Sequence, residues 1–69
     1  MSRLKLLGQN IKKYRKIKGL RQIDLAAALD CTNDYISRVE LGKQCISLQK
    51  LFELADILEI DFSLLTNFK

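Results

Sequence analysis

Asn33 and Ser37, and Asp34 and Arg38, stand four positions apart, so on a helix they share one outward strip. An amide, a hydroxyl, a carboxylate and a guanidinium in that arrangement form a hydrogen-bonding surface rather than a catalytic one. The parts of other chemistries are missing. The chain has no histidine, no glycine-rich phosphate loop and no nucleophile set beside a base, so an enzyme is not expected. Asp56, Glu59 and Asp61 read as helix caps and surface. Cys31 and Cys45 match no metal-ligand spacing, so neither a metal nor a cofactor is expected. They are expected to be small buried hydrophobes. A disulfide or redox switch is the alternative, and a reducing compartment opposes the disulfide.

The outward strip needs a helix pair to position it, and residues 22–42 supply one. Leu25, Ala26, Leu29, Cys31, Ile36 and Val39 give one inward stripe to each of two short helices, residues 22–29 and 33–41, which cross closely at Ala26. Asp30 marks the turn, a place for left-handed backbone. Thr32 can cap the second helix, Cys31 can pack on Ile36, and Gly42 ends it. Two helices and a tight turn of this kind make a helix-turn-helix, with the polar strip on the second helix.

Three further helices are predicted. The first runs from Ser2 or Arg3 to Lys18, with Leu4, Leu7, Ile11, Tyr14 and Lys18 on its inner face and Gly19 as its stop. Arg21 stands where the next helix wants a cap, which forgoes about 1 kcal/mol, partly offset by Asp24 in the first turn. Ser47 caps the fourth helix, with Ile46 packed on Leu51 and an inner face of Leu48, Leu51, Leu54, Ala55 and Leu58. Asp61 caps a short fifth, with Ile60 packed on Leu65. Residues 1–69 thus read as a single all-α domain of five compact helices.

Charge divides the chain. Residues 1–43 carry ten Lys/Arg against four Asp/Glu, whereas residues 44–69 carry two against four. A basic front and an acidic rear suit the oriented approach of a polyanion; a merely solvated basic face is the alternative. No apolar run has membrane-spanning length, and the start, Met-Ser-Arg-Leu-Lys, lacks a signal peptide's apolar stretch. A cytoplasmic protein is expected, with no membrane and no small-molecule ligand.

Several motifs now fall in order: Leu7-Gly8-x-x-Ile11-x-x-x-Arg15, Gly19-Leu20-x-Gln22, Asp24-Leu25-Ala26, Tyr35-Ile36-Ser37-x-x-Glu40-x-Gly42 and Leu48-x-x-Leu51-x-x-Leu54-Ala55. This set resembles the Xre/Cro/lambda-repressor-like helix-turn-helix domains of bacteria and phages. The resemblance implies that the second helix of the pair enters the major groove of double-stranded DNA, where all four base pairs are distinguishable. It puts Asn33, Asp34 and Arg38 at base-reading positions. Arg38 suits guanine, Asn33 adenine, and Asp34 the amino group of cytosine. For Asp34 the alternative is a first-turn acid favoured by the helix dipole. The resemblance makes Gln22 a phosphate ligand, with Arg21, Tyr35 and Lys43 as further phosphate candidates. It implies a structural salt bridge between Arg15 and Glu40. Lys12, Lys13 and Lys16 are expected to be helix surface that raises the local potential.

The C-terminal stretch holds more apolar groups than so small a core needs: Phe52, Ile57, Ile60, Phe62, Leu64, Leu65 and Phe68. A homodimer is expected through residues 57–69, with Ile57, Phe62, Leu65 and Phe68 at the interface. The alternative is that they cap the monomer's own core. The function expected is a transcriptional repressor or autoregulator on a near-palindromic operator, of the phage-repressor, restriction-modification controller or antitoxin kind. A protein-interaction module on the same fold is the alternative, and the basic front argues against it.

Overall fold

The computed structural model describes residues 2–68, among which there are five helices and no strand: α1 (Arg3–Ile17), α2 (Gln22–Ala28), α3 (Asn33–Glu40), α4 (Leu48–Leu58) and α5 (Phe62–Leu65). Met1 and Lys69, the last residue of the expected dimerisation segment, lie outside the described residues.

The helix starts follow from their caps. Ser2, Thr32, Ser47 and Asp61 each accept a hydrogen bond from a first-turn backbone N–H, of Lys5, Tyr35, Lys50 and Ser63 respectively. Cys31, Ile46 and Ile60, just before three of these caps, are part-buried against the core. At α2 the Asp24 carboxylate does more than oppose the dipole. It accepts from the Arg21 backbone N–H at 2.8 Å, half of a capping box made without a capping side chain. The same carboxylate takes the Arg21 guanidinium through Nε at 3.1 Å and Nη2 at 3.0 Å. Those bonds hold the Asp24 carboxyl below the usual carboxylate range.

The helix stops are equally local. A backbone bond spanning five residues closes α1 (Leu20 N–H to Arg15 O), α2 (Cys31 to Ala26), α3 (Lys43 to Arg38) and α4 (Ile60 to Ala55). The residue before each of those donors has positive φ: Gly19, Asp30, Gly42 and Glu59. Glu59 carries no compositional mark of this role. Its carboxylate accepts from the Lys18 ammonium. Lys18, expected on the inner face, is therefore an exposed helix-end cation.

The core joins Ile11 of α1 to Leu25, Ala26 and Leu29 around α2, Ile36 and Val39 of α3, Leu51, Leu54, Ala55 and Leu58 of α4, and Leu65 of α5. Three expectations about its edge are corrected, the first being Leu4, which is 37% exposed near the start of α1 instead of facing inward. Leu48 overhangs the start of α4 at 62% exposure instead of facing inward. Cys45 lies exposed in the α3–α4 loop rather than buried, while Cys31 is part-buried and burial pushes its thiol pKa up. Both are free thiols. Among the described residues no helix is long and apolar enough to cross a membrane.

Gly8 sets how closely α1 lies on α3. A Cβ there would sit 2.4 Å from the carbonyl oxygens of both Val39 and Glu40. Only a glycine lets the α1 backbone reach the end of α3, and that end carries Glu40.

Candidate nucleic-acid interface

The inward side of α3 comes first, because it fixes where the outward side points. Ile36 and Val39 enter the apolar core, and Glu40, on the same side, is 5% exposed. Burying a carboxylate is costly unless its oxygens are occupied, and here both are. Oε2 accepts from Arg15 Nε at 2.6 Å, and Oε1 accepts from Arg15 Nη2 at 3.1 Å. Gln22 Nε2 adds a third donor to Oε1 at 3.0 Å. Arg15, itself 6% exposed, spends Nη1 on the carbonyl of Leu20 at 2.8 Å. One carboxylate therefore ties together α1, the first turn of α2 and the end of α3, and through Arg15 the loop after α1. The expected Arg15–Glu40 bridge is present, and among the described residues no buried side-chain polar atom lacks a hydrogen-bond partner.

Gln22 was not expected in this network. Glutamine is both donor and acceptor, so its residue type alone does not say which neighbour it prefers. Its amide nitrogen carries two hydrogens. One goes to Glu40, which orients the side chain at the N-terminus of α2, and the other remains for a second acceptor.

On the outward side Asn33, Asp34 and Arg38 are exposed and Ser37 is half-buried. The structure brings Asp34 and Arg38 together: Oδ2 and Nε are 3.0 Å apart, with the side chains 74% and 60% exposed. The i,i+4 spacing was a legible signal for that pair.

The remaining phosphate candidates flank the helix-turn-helix. Arg21 projects at 78% side-chain exposure while held by Asp24. Tyr35 is half-buried on the first turn of α3, and its hydroxyl donates to the Cys45 carbonyl at 3.3 Å, fastening the loop after α3. Lys43 is exposed immediately beyond that helix. Lys12, Lys13 and Lys16 line exposed positions of α1. Lys50 also escaped the sequence reading: its ammonium donates to the Leu29 carbonyl at 3.0 Å and so secures the end of α2.

At the acidic rear, one expected interface residue moves. Leu65 is fully buried in the monomer, because α5 folds back and Asn10 Nδ2 of α1 donates to the Leu65 carbonyl at 2.9 Å. It cannot meet a second subunit. Ile57 and Phe62 are part-buried against the core, and Phe68 is exposed. Phe62 stacks on the exposed Phe52 with ring centroids 4.5 Å apart.

Comparison with known proteins places this geometry. The family profile described as "Helix-turn-helix" matches residues 11–65. The ImmF control region 10 kDa protein of Bacillus phage phi105 is 36% identical over 61 residues, covering 88% of this chain and 68% of that protein. The crystal structure of the restriction-modification controller protein C.AhdI from Aeromonas hydrophila has a TM-score of 0.84 and 34% identity, covering 90% of this chain and 94% of that one. The clp gene regulator ClgR from C. glutamicum has a TM-score of 0.87 over 94% of this chain and 84% of that one. At 23% identity that last likeness speaks to the fold alone.

Proposed function

The chain belongs to the Xre/lambda-repressor-like helix-turn-helix family of DNA-binding transcription regulators, and from that premise we propose that it is a homodimeric repressor or autoregulator of a near-palindromic operator. The observation that carries this reading is the exposed Asn33–Asp34–Arg38 face on a helix whose other side is locked by the buried Glu40 network. A recognition helix must be held at a fixed angle to use a few side chains on base edges.

In this reading α3 lies in the major groove, and Asn33, Asp34 and Arg38 face base edges. Arg38 takes a guanine and Asn33 an adenine. Gln22 gives its second amide hydrogen to a backbone phosphate, at the positive end of α2. Arg21, Tyr35 and Lys43 add phosphate contacts on either side, and the basic front steers the approach. Phe68, Phe62 and Ile57, joined by the exposed Phe52, supply the apolar surface of a twofold interface. Two copies then present their α3 helices to half-sites about one helical turn apart. Occupying a promoter in this way excludes polymerase.

Binding to the selected operator and to mixed-sequence DNA tests the docking. Arg38→Ala should cost about 1–3 kcal/mol of operator preference and spare most nonspecific binding, whereas Gln22→Ala should weaken every duplex alike. Two variants that bind like the parent would sink the docking mode. The dimer has its own check. A species that sediments only as monomer at tens of micromolar would remove it.

A further inference from the structure

We propose that Asp34 is a positioning residue for Arg38: it holds the guanidinium by its Nε side and presents the terminal Nη1/Nη2 fork to a guanine. This assignment rests on Arg38 being a base reader, as proposed above.

The geometry separates two uses of one arginine. A guanidinium carries five N–H donors in a rigid plane, so it offers a side edge through Nε and an end through its two Nη groups. The Asp34 carboxylate is ion-paired with the guanidinium, its Oδ2 3.0 Å from Nε. The O6 and N7 of a guanine ask for two parallel donors, and the Nη end supplies them. Asp34 precedes Arg38 by four residues, the favourable order for an acid and a base on one helix. The long Arg38 side chain is thereby restricted before DNA arrives, and less of its rotamer freedom is left to lose on binding.

Charge points the same way. Asn33, Asp34, Ser37 and Arg38 sum to zero, so the outward face of α3 adds no net attraction for phosphate. A carboxylate entering a groove between two phosphate backbones is repelled unless its counter-charge travels with it, and Arg38 travels on the same helix. Without Asp34, Arg38 is a free cation that can pair with any nearby phosphate. Asp34 thus trades general affinity for selectivity. It has no need to touch a base itself.

The test uses the full chain and the sequence selected from random DNA. Duplexes substituted one base pair at a time are titrated with the parent, D34A, D34E, R38A and D34A/R38A at two salt concentrations, after circular dichroism shows equal helix content. Arg38→Ala should flatten the preference at one base pair of each half-site. Asp34→Ala should cut the preference at that same base pair about tenfold. It should also bind mixed-sequence DNA several-fold more tightly at low salt and steepen the salt dependence by about one counterion. Asp34→Glu should restore much of the preference, and the double variant should match R38A. A D34A protein whose preference changes at a different base pair would make Asp34 a direct reader and overturn the proposal. So would a D34A protein with unchanged preference, or one that weakens all duplexes equally. An R38A protein with no altered base pair would instead remove the Arg38 reading on which the proposal stands.

Discussion

Helix α3 takes part in two arginine–carboxylate pairs, one on each side, and they differ almost completely in environment. Arg15–Glu40 is sealed, with side chains 8% and 2% exposed, while Arg38–Asp34 stands in solvent at 60% and 74%. The sealed pair is cross-linked to Gln22 and to the Leu20 carbonyl; the open pair joins two residues of one helix. The same ionic chemistry therefore serves two ends. Where water is excluded, an ion pair fixes the angle between elements, and losing one partner strands a charge. Where water is present, the pair adds little stability and its members remain available to another molecule.

The sharpest way to break that contrast is to strand the buried arginine. Glu40→Ala should destabilise the fold by about 3–5 kcal/mol in urea unfolding. Replacing the pair together, Arg15→Met with Glu40→Leu, should recover most of that loss, because well-packed apolar groups substitute for a buried pair without the desolvation cost. A double variant as unstable as Glu40→Ala would mean that the Gln22 and Leu20 bonds carry the network. Next in size is Gly8→Ala, which drives a methyl into the Val39 and Glu40 carbonyls and should cost about 1–3 kcal/mol by the same measurement. A neutral result would show that α1 can slide without disturbing the inward side of α3. The smallest effect belongs to the open pair. Asp34→Ala should change the unfolding free energy by less than about 1 kcal/mol, the sum of an exposed i,i+4 pair and a first-turn acid. A larger loss would make the outward pair structural as well and erase the distinction.

The fold was legible where local chemistry writes it. Ser2, Thr32, Ser47 and Asp61 mark four helix starts by side-chain type, and Gly19 and Gly42 mark two stops. The family resemblance, and no local spacing, pointed to Arg15–Glu40. What escaped was decided by the arrangement of whole elements. Leu65 sits on a helix of four residues, just over one turn, so no periodicity tells which side will be buried. Leu48 matches the inner spacing of α4 but stands at its first residue, beyond the reach of the other helices. Glu59 adopts left-handed backbone because the end of α4 demands it, and a glutamate gives no warning. Gln22 faces both a buried carboxylate and the protein surface, a choice that depends on where α1 and α3 meet. The candidate site was legible as a set of outward residues, with an i,i+4 spacing that signals the Asp34–Arg38 ion pair, while the bond that orients Gln22 became visible only in three dimensions.

Helix α3 is eight residues long, opened by Thr32 and shut by the Lys43–Arg38 backbone bond. Its outward residues, Asn33, Asp34 and Arg38, supply none of the side chains that seat it: Ile36 and Val39 do that, with Glu40. In the proposed docking the helix is a cassette in which the spelling of an address is written on different letters from the binding of the book. Exchanging the outward side chains should re-address the protein to another DNA sequence while the frame stays shut. A small chain of this design can diverge quickly in what it recognises while its architecture changes hardly at all.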